Sequence, residues 1–208
     1  MLATQEVTQF LDSVSSGSPA PGGGSASALS GAMGAALAAM VCRLTIGKKK
    51  YESVQDDMIG AVGALDELRA KMTSLIDQDT EAFNDVMDAF RLPKETAEQK
   101  QVRSAAIQEA TRQATLVPLD VMRFCEQTLV IATMVAEKGN VNSISDVGVA
   151  ALLLKAGCEG AAYNVRINLA TLVDKEFVAD TSTMTAAIET NVEALSDGIR
   201  KRVTTVLS

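Results

Sequence analysis

Asp79 is the aspartate of this sequence that is best placed for acid–base chemistry. It lies three residues after Ile76 and four before Phe83, inside an apolar stripe at helical spacing. A carboxyl group in such a stripe is shielded from water, which raises its pKa toward the range of a general base. The alternative is a structural charge that pairs with an arginine or lysine.

A second group of polar residues indicates another candidate face. Asp146 and Asn164 are five full turns apart at about 3.6 residues per turn, so they point to the same side of one helix, and Asn168 lies close to that direction. Asp146 is therefore a second catalytic candidate, and the asparagine amides offer donors and acceptors to a ligand. Asn142 lies just before this helix and either contributes to the site or shapes the turn. The alternative for the face is a polar seam between helices.

The stretch SPAPGGGSASALSGAMGAALAAMVCRLTIGKKKY, residues 18–51, has three interpretations. Its apolar run reaches the ~20 residues of a membrane span, but Ala, Gly and Ser fill most of it and Arg43 lies near its end. A phosphate-binding loop needs Gly-Lys-Ser/Thr directly after the glycines, and this sequence lacks it. The interpretation that remains is a buried helix with a ligand at its N-terminus.

The glycines before this helix are candidates for ligand binding. Without a Cβ they let backbone amides approach a ligand, and amides at a helix N-terminus favour an anion or a polarised carbonyl. The alternative is a flexible loop. The predicted substrate-binding residues here are Gly22, Gly23, Gly24 and Ser25.

Three lysines follow the apolar run, and Lys48 is the first of them. A basic cluster of this kind either binds the carboxylates of a ligand or is a solvated helix end, whose cations favour the C-terminal dipole. The residues alone leave both alternatives open.

Composition excludes several classes of chemistry. The 208 residues include no histidine, which rules out Ser-His-Asp and Cys-His nucleophiles and every His-ligated metal site. The net charge of −7 argues against a nucleic-acid partner. The three cysteines are far apart and form no CxxC pair, as in a cytoplasmic protein with reduced thiols.

The elements that must position these residues are helices. Apolar residues make up 47% of the chain and aromatic residues only 3%, which favours an all-α domain over a sheet. We expect a single domain, residues 1–208, of about six helices, and a close helix crossing at Gly31 and Gly34, either within the chain or with a second subunit. The predicted helices are residues 3–15, 25–46, 52–90, 96–138 with Pro118 kinking or splitting the last, 145–177 with Ser145 as its cap, and one from Asp180 or Thr181 to the C-terminus.

Three long blocks of the sequence resemble the cyclodeaminase/cyclohydrolase family. They are FLDSVSSGSPAPGGGSASALSGAMGAALAAMVCRLTIGKKKY, IDQDTEAFNDVMDAFRLPK and GNVNSISDVGVAALLLKAGCEGAAYNVRINL, in the family's order and over nearly the whole chain. The family comprises the cyclodeaminase domain of formiminotransferase-cyclodeaminase and stand-alone methenyltetrahydrofolate cyclohydrolases.

The resemblance implies a bundle like the C-terminal part of formiminotransferase-cyclodeaminase, assembled as a homodimer, that hydrolyses 5,10-methenyltetrahydrofolate to 10-formyltetrahydrofolate. The alternatives are a formiminotetrahydrofolate cyclodeaminase, which releases ammonia, and a non-catalytic folate-binding dimer. We expect no metal or other cofactor, no membrane or nucleic-acid partner, and a cytoplasmic location. The family block has an Asp at the position of Asp79, the asparagines suit the amide edge of a pterin, and Lys48 suits the folate's glutamate tail.

Overall fold

The computed structural model describes all of residues 1–208, and its regular structure is entirely helical. This confirms the predicted all-α fold of about six helices, several of them long. Short 3₁₀ helices cover Leu2–Thr4, Lys49–Val54 and Val141–Ser143. The six α-helices are α1 (Val7–Ser15), α2 (Gly23–Arg43), α3 (Gln55–Arg91), α4 (Ala97–Lys138), α5 (Ile144–Leu169) and α6 (Lys175–Leu207).

One core joins all six helices, and α2 lies at its centre, packed chiefly against α3 and α5. A Cβ on Gly31 would come within 2.6 Å of Met72 Sδ, and one on Gly34 within 3.0 Å of the Ala150 carbonyl oxygen. Glycine at these positions lets the helices approach closely, because any side chain would collide with the neighbour. The expected close crossing is therefore made within the chain.

Pro118 does not split α4, which continues unbroken through it. Proline has no N–H, so the carbonyl of Ala114 lacks its partner within the helix. The Asn168 side chain donates to that carbonyl from α5, with 3.0 Å between Nδ2 and O. The helix therefore continues because a neighbouring helix supplies the missing hydrogen bond.

The predicted bounds of α5 and α6 were wrong. Ser143 rather than Ser145 precedes α5, which ends at Leu169 instead of continuing to Phe177. Asp174 caps α6 by accepting a hydrogen bond from the Phe177 N–H at 3.1 Å, so this helix begins at Lys175. The intervening turn contains neither glycine nor proline, and this is why the sequence pattern missed it.

Two helical segments, Gly23–Arg43 and Val141–Leu169, are long and apolar enough to cross a membrane by length and composition alone. Both contribute a face to the protein core, since α2 and α5 pack against each other. Core helices commonly pass this test, so it gives only weak support to a membrane span.

Candidate active site

A cleft of about 430 Å³ lies between α3, α4, α5 and the loop before α2. Asp79 is the only charged side chain among the residues that line it. The walls are otherwise apolar or carry neutral hydroxyl and amide groups. A single carboxylate in such surroundings can act on a bound molecule without competition from other charges.

Asp79 is held at the inner end of this cleft by α2. The Ser25 hydroxyl donates a hydrogen bond to Asp79 Oδ2 at 2.8 Å. A Cβ on Gly24 would lie 2.0 Å from Asp79 Oδ1, so no other residue fits at position 24 while the carboxylate keeps this place. Gly24 is therefore required for packing, whereas Gly22 and Gly23 have room for a Cβ.

Burial raises the pKa of Asp79 above its usual 3.8, and the hydrogen bonds from Ser25 partly oppose that rise. Desolvation dominates because α2 and the apolar side chains of α3 exclude water from the carboxyl group. A carboxylate with a raised pKa is a stronger base than an exposed one. The structure thus places Asp79 as the sequence suggests, and its catalytic role stays a prediction.

The first turn of α2 adds free backbone donors to the cleft. The first helical hydrogen bond runs from the Ala26 N–H to the Gly22 carbonyl at 3.0 Å, so the amides of residues 23–25 have no partner within the helix. The amide of Ser25 bonds Asp79 instead, which leaves those of Gly23 and Gly24 for a ligand. Gly22, Gly23 and Gly24 all line the cleft, while Ser25 lies behind them against Asp79. Ser25 is therefore placed to orient Asp79 rather than to touch a ligand.

Asn164 and Asn168 face the cleft from α5. Asn164 Nδ2 donates to the Gly160 carbonyl at 2.9 Å, and Asn168 Nδ2 donates to Ala114 as described above. Both amide nitrogens are thus engaged with backbone. Each side chain retains its carbonyl oxygen as an acceptor for a ligand.

Three predicted site residues lie at the other end of the molecule. Asp146 and Asn164 share a side of α5 but are about 27 Å apart along it, at 1.5 Å per residue. Asn142 precedes α5 at the same far end, and Lys48 lies beyond the last turn of α2. The 3.6-residue period predicts the direction of each side chain but not its position along the helix axis. Within one chain these residues do not join Asp79.

At the end of the molecule opposite the cleft, the buried Asn140 holds three segments together by hydrogen bonds. Its side chain donates to the Leu44 carbonyl at 3.2 Å and accepts from the Asn142 N–H at 3.2 Å, and its own N–H donates to Thr45 Oγ1 at 2.8 Å. Asn140 therefore ties the end of α2 to the start of α5. Asn142 itself is exposed.

The outer wall of the cleft belongs to the same apolar stripe of α3, which its helical spacing alone describes as a packed face. These residues continue the register of Asp79 along α3, and the same periodicity describes a buried face and a cleft wall. Ile167 of α5, Thr171 in the turn that follows it and Thr111 of α4 complete the wall. The α3 residues are Phe83, Val86, Met87 and Phe90.

A larger and more open groove of about 620 Å³ lies between α5 and α6, and it is a weaker candidate. Its carboxylates are already paired: Glu193 with Lys155, and Glu189 with Arg166. Charge that is satisfied on an exposed surface provides little for catalysis. The cleft at Asp79 is the better candidate because its carboxylate is shielded and has no cationic partner.

Fold and site together define a class: an all-helical protein with one desolvated carboxylate beside the N-terminus of a glycine-rich helix, in a cleft with room for a small molecule. The sequence profile of the formiminotransferase-cyclodeaminase family matches residues 6–187. The chain belongs to this family, as its three sequence blocks predict.

Curated relatives and a solved structure agree with this assignment. Methenyltetrahydrofolate cyclohydrolase of Methylorubrum extorquens is 49% identical over 180 residues, 86% of each chain. Formimidoyltransferase-cyclodeaminase of Mus musculus is 39% identical over 168 residues, which are 81% of this chain and 31% of that protein. The crystal structure of formiminotetrahydrofolate cyclodeaminase from Thermotoga maritima matches with a TM-score of 0.91 at 31% identity, over the full length of both chains.

Proposed function

We propose that this chain hydrolyses 5,10-methenyltetrahydrofolate to 10-formyltetrahydrofolate. The observation that carries the proposal is the lone, shielded Asp79 carboxylate in an otherwise uncharged cleft. The substrate's reacting group is an amidinium cation, and a carboxylate stabilises such a cation while it serves as a base. The relative from Methylorubrum extorquens, which bears the name of this activity, supports the assignment.

Asp79 accepts a proton from the attacking water in the proposed mechanism. The water oxygen bonds to the methenyl carbon, and the resulting tetrahedral intermediate collapses: N5 takes up a proton as its bond to that carbon breaks, and the new hydroxyl gives up its proton. The carbonyl of the formyl group forms on N10, and one proton is released overall. Ser25 keeps the carboxylate oriented through its hydrogen bond to Oδ2.

The walls of the cleft suit the two halves of a folate. The free carbonyl oxygens of Asn164 and Asn168 accept hydrogen bonds from pterin N–H groups, and the amides of Gly23 and Gly24 donate to the pterin carbonyl. Phe83 and Phe90 provide apolar surface for the aminobenzoyl ring. No cofactor is needed in this scheme, and its absence stays a prediction.

Formiminotetrahydrofolate cyclodeamination is the second candidate, because the Thermotoga maritima structure with that name shares the whole fold. In that reaction N10 closes onto the formimino carbon and ammonia leaves. The same carboxylate would accept the proton of N10. A non-catalytic folate-binding dimer is the third possibility and requires that neither substrate is turned over.

An assay of both substrates with the Asp79→Asn variant tests the proposal. Loss of the methenyl absorbance, corrected for spontaneous hydrolysis, measures one activity, and ammonia release from the formimino substrate measures the other. Removing a general base lowers a rate by ~10²–10⁴-fold, so we expect that loss in the variant with ligand binding intact. Turnover in the variant close to that of the wild type would exclude Asp79 as the base. A wild-type chain that binds folate but turns over neither substrate would leave the non-catalytic alternative.

We further propose that the chain forms a cytoplasmic homodimer through the outward side of α2. No charged residue precedes Arg43 in this helix, and Met33 and Met40 remain 48% and 36% exposed. Apolar side chains on a neutral helix face favour burial against a second copy. The three buried, unpaired cysteines support a reducing location.

A further inference from the structure

The cleft has a direction, from Asp79 at its inner end to Phe90 at its outer end. These two residues lie on one side of α3, eleven positions and therefore about 16 Å apart along the helix axis. Phe83, Val86 and Met87 lie between them and line the same wall. A substrate whose reacting carbon is at Asp79 therefore extends toward Phe90.

Arg103 lies at this outer end. Its Nε and Nη2 donate to the Phe90 carbonyl at 3.1 and 3.0 Å, and its guanidinium carbon lies 5.4 Å from the centre of the Phe90 ring. Arg103 precedes the cleft-lining Ala114 by eleven residues, about three turns, so both share one side of α4. The guanidinium is thus anchored beside a residue of the cleft wall.

The charge of Arg103 is not neutralised by the protein. Both of its hydrogen bonds go to a backbone carbonyl. Its neighbours differ: Arg91 pairs with Asp88 at 2.6 Å, and Arg112 lies 3.7 Å from Asp174. A guanidinium has five N–H groups, so Arg103 keeps three for an external acceptor.

We infer that Arg103 binds the first carboxylate of the substrate's glutamate tail, an assignment that rests on the proposed folate substrate. About nine covalent bonds, some 10 Å when extended, separate the reacting carbon from that carboxylate. With one hydrogen-bond length at either end the span becomes about 16 Å, comparable with the rise along α3 from Asp79 to Phe90, whose carbonyl Arg103 binds. Arg103 therefore determines the preference for folates over the same pterin without glutamate.

This assignment replaces Lys48 as the tail-binding residue within one chain. Lys48 lies past the C-terminal end of α2, whereas the glycines that line the cleft lie at its N-terminal end. The 21 residues of α2 separate the two ends by about 30 Å. A glutamate that leaves the cleft at Phe90 does not reach the lysines of its own subunit.

A truncated substrate tests the inference. We would compare 5,10-methenyltetrahydrofolate with 5,10-methenyltetrahydropteroate, which lacks the glutamate, in the wild type and in Arg103→Gln. The variant should raise KM for the folate about five- to tenfold, since a partly exposed charge-assisted hydrogen bond is lost. Its KM for the pteroate and its kcat should stay unchanged. Arg91→Gln, the matched control on the same surface, should change neither substrate.

The other outcomes overturn the inference. An equal rise in KM for both substrates would mean that Arg103 only holds the end of α3, and no rise would mean that it does not meet the substrate. Calorimetry with tetrahydrofolate and tetrahydropteroate separates this question from turnover. A wild type without turnover whose tail-dependent binding is lost in Arg103→Gln would refute the proposed function and keep the inference. If the wild type binds both compounds equally, or binds neither, the inference fails.

Discussion

The Ser25 hydroxyl opposes the effect of burial on the pKa of Asp79. Its hydrogen bond stabilises the ionised carboxylate and lowers a pKa that desolvation raises. Catalysis by a general base requires the ionised form. The balance between these two effects therefore fixes the pH below which the proposed reaction slows.

Ser25→Ala should move the acidic limb of the pH–rate profile to higher pH. Without the hydroxyl the pKa of Asp79 rises further, so a larger fraction of the enzyme holds a protonated, inactive carboxyl at any acidic pH. The measurement is kcat/KM against pH for both proteins. Ser30→Ala is the matched control, because Ser30 bonds the Leu153 carbonyl on another side of α2. An unshifted limb would contradict the assignment of Ser25 as a positioning residue.

Asp79→Asn should stabilise the fold at neutral pH. A carboxyl group whose folded-state pKa is raised favours folding below its unfolded-state pKa, and this contribution is lost as pH rises through the folded-state value. At neutral pH the wild type therefore keeps an unfavourable buried charge that the neutral amide avoids. Thermal melts should give the variant the higher Tm at pH 7, with the difference shrinking in acid below the raised pKa. A lower Tm at pH 7 would show that the charge is stabilising.

Helices α4 and α5 are linked by a hydrogen bond that compensates for a proline in α4. Pro118 leaves the Ala114 carbonyl without a partner in its own helix, and Asn168 provides one. The same three residues line the cleft, so the bond also fixes the distance between two of its walls. An asparagine that the sequence marks as a ligand residue thus has a structural task as well.

A double-mutant cycle should isolate this bond. Asn168→Ala leaves a partly buried carbonyl without a partner and should lower the free energy of unfolding by about 1 kcal/mol. Pro118→Ala restores the N–H within α4, so the same asparagine substitution should cost much less in that background. Urea denaturation of the four proteins gives the coupling. Additive effects would show that Asn168 does not compensate for the proline.

At the scale of the whole molecule, the outward side of α2 is a neutral face that exposes Met33 and Met40. Met33→Glu places a charge in the proposed interface and should convert a dimer to a monomer, because burying an unpaired carboxylate is strongly unfavourable. Light scattering measures the mass. Val130→Glu, at a 56% exposed position of α4, is the control and should leave the mass unchanged. A wild type that is already monomeric would refute the interface.

The proposed dimer also bears on whether Asp146 has a catalytic role. It lies about 27 Å from Asn164 in its own chain, so only the partner subunit's Asp146 can approach the cleft. If it does, Asp146→Asn lowers turnover, and mixing it with Asp79→Asn restores part of the activity through mixed dimers. An active Asp146→Asn enzyme would remove this residue from the site. The same comparison applies to Lys48 and Asn142.

The helical class, the family and the candidate role of Asp79 all follow from the amino-acid sequence alone. Helical periodicity and the absence of histidine depend only on residue order and type, and so do the glycines ahead of α2. Tertiary structure decided which candidates meet. Helical periodicity gives the direction in which a side chain points but not its position along the helix axis. Asp146 and Asn164 therefore share one side of α5 and still lie far apart. Likewise, only the packing of α3 against α4 shows that Phe90 borders a cleft and that Arg103 lies beside it. Periodicity alone cannot distinguish a helix face packed in the core from one that lines a cleft, because both have the same apolar stripe.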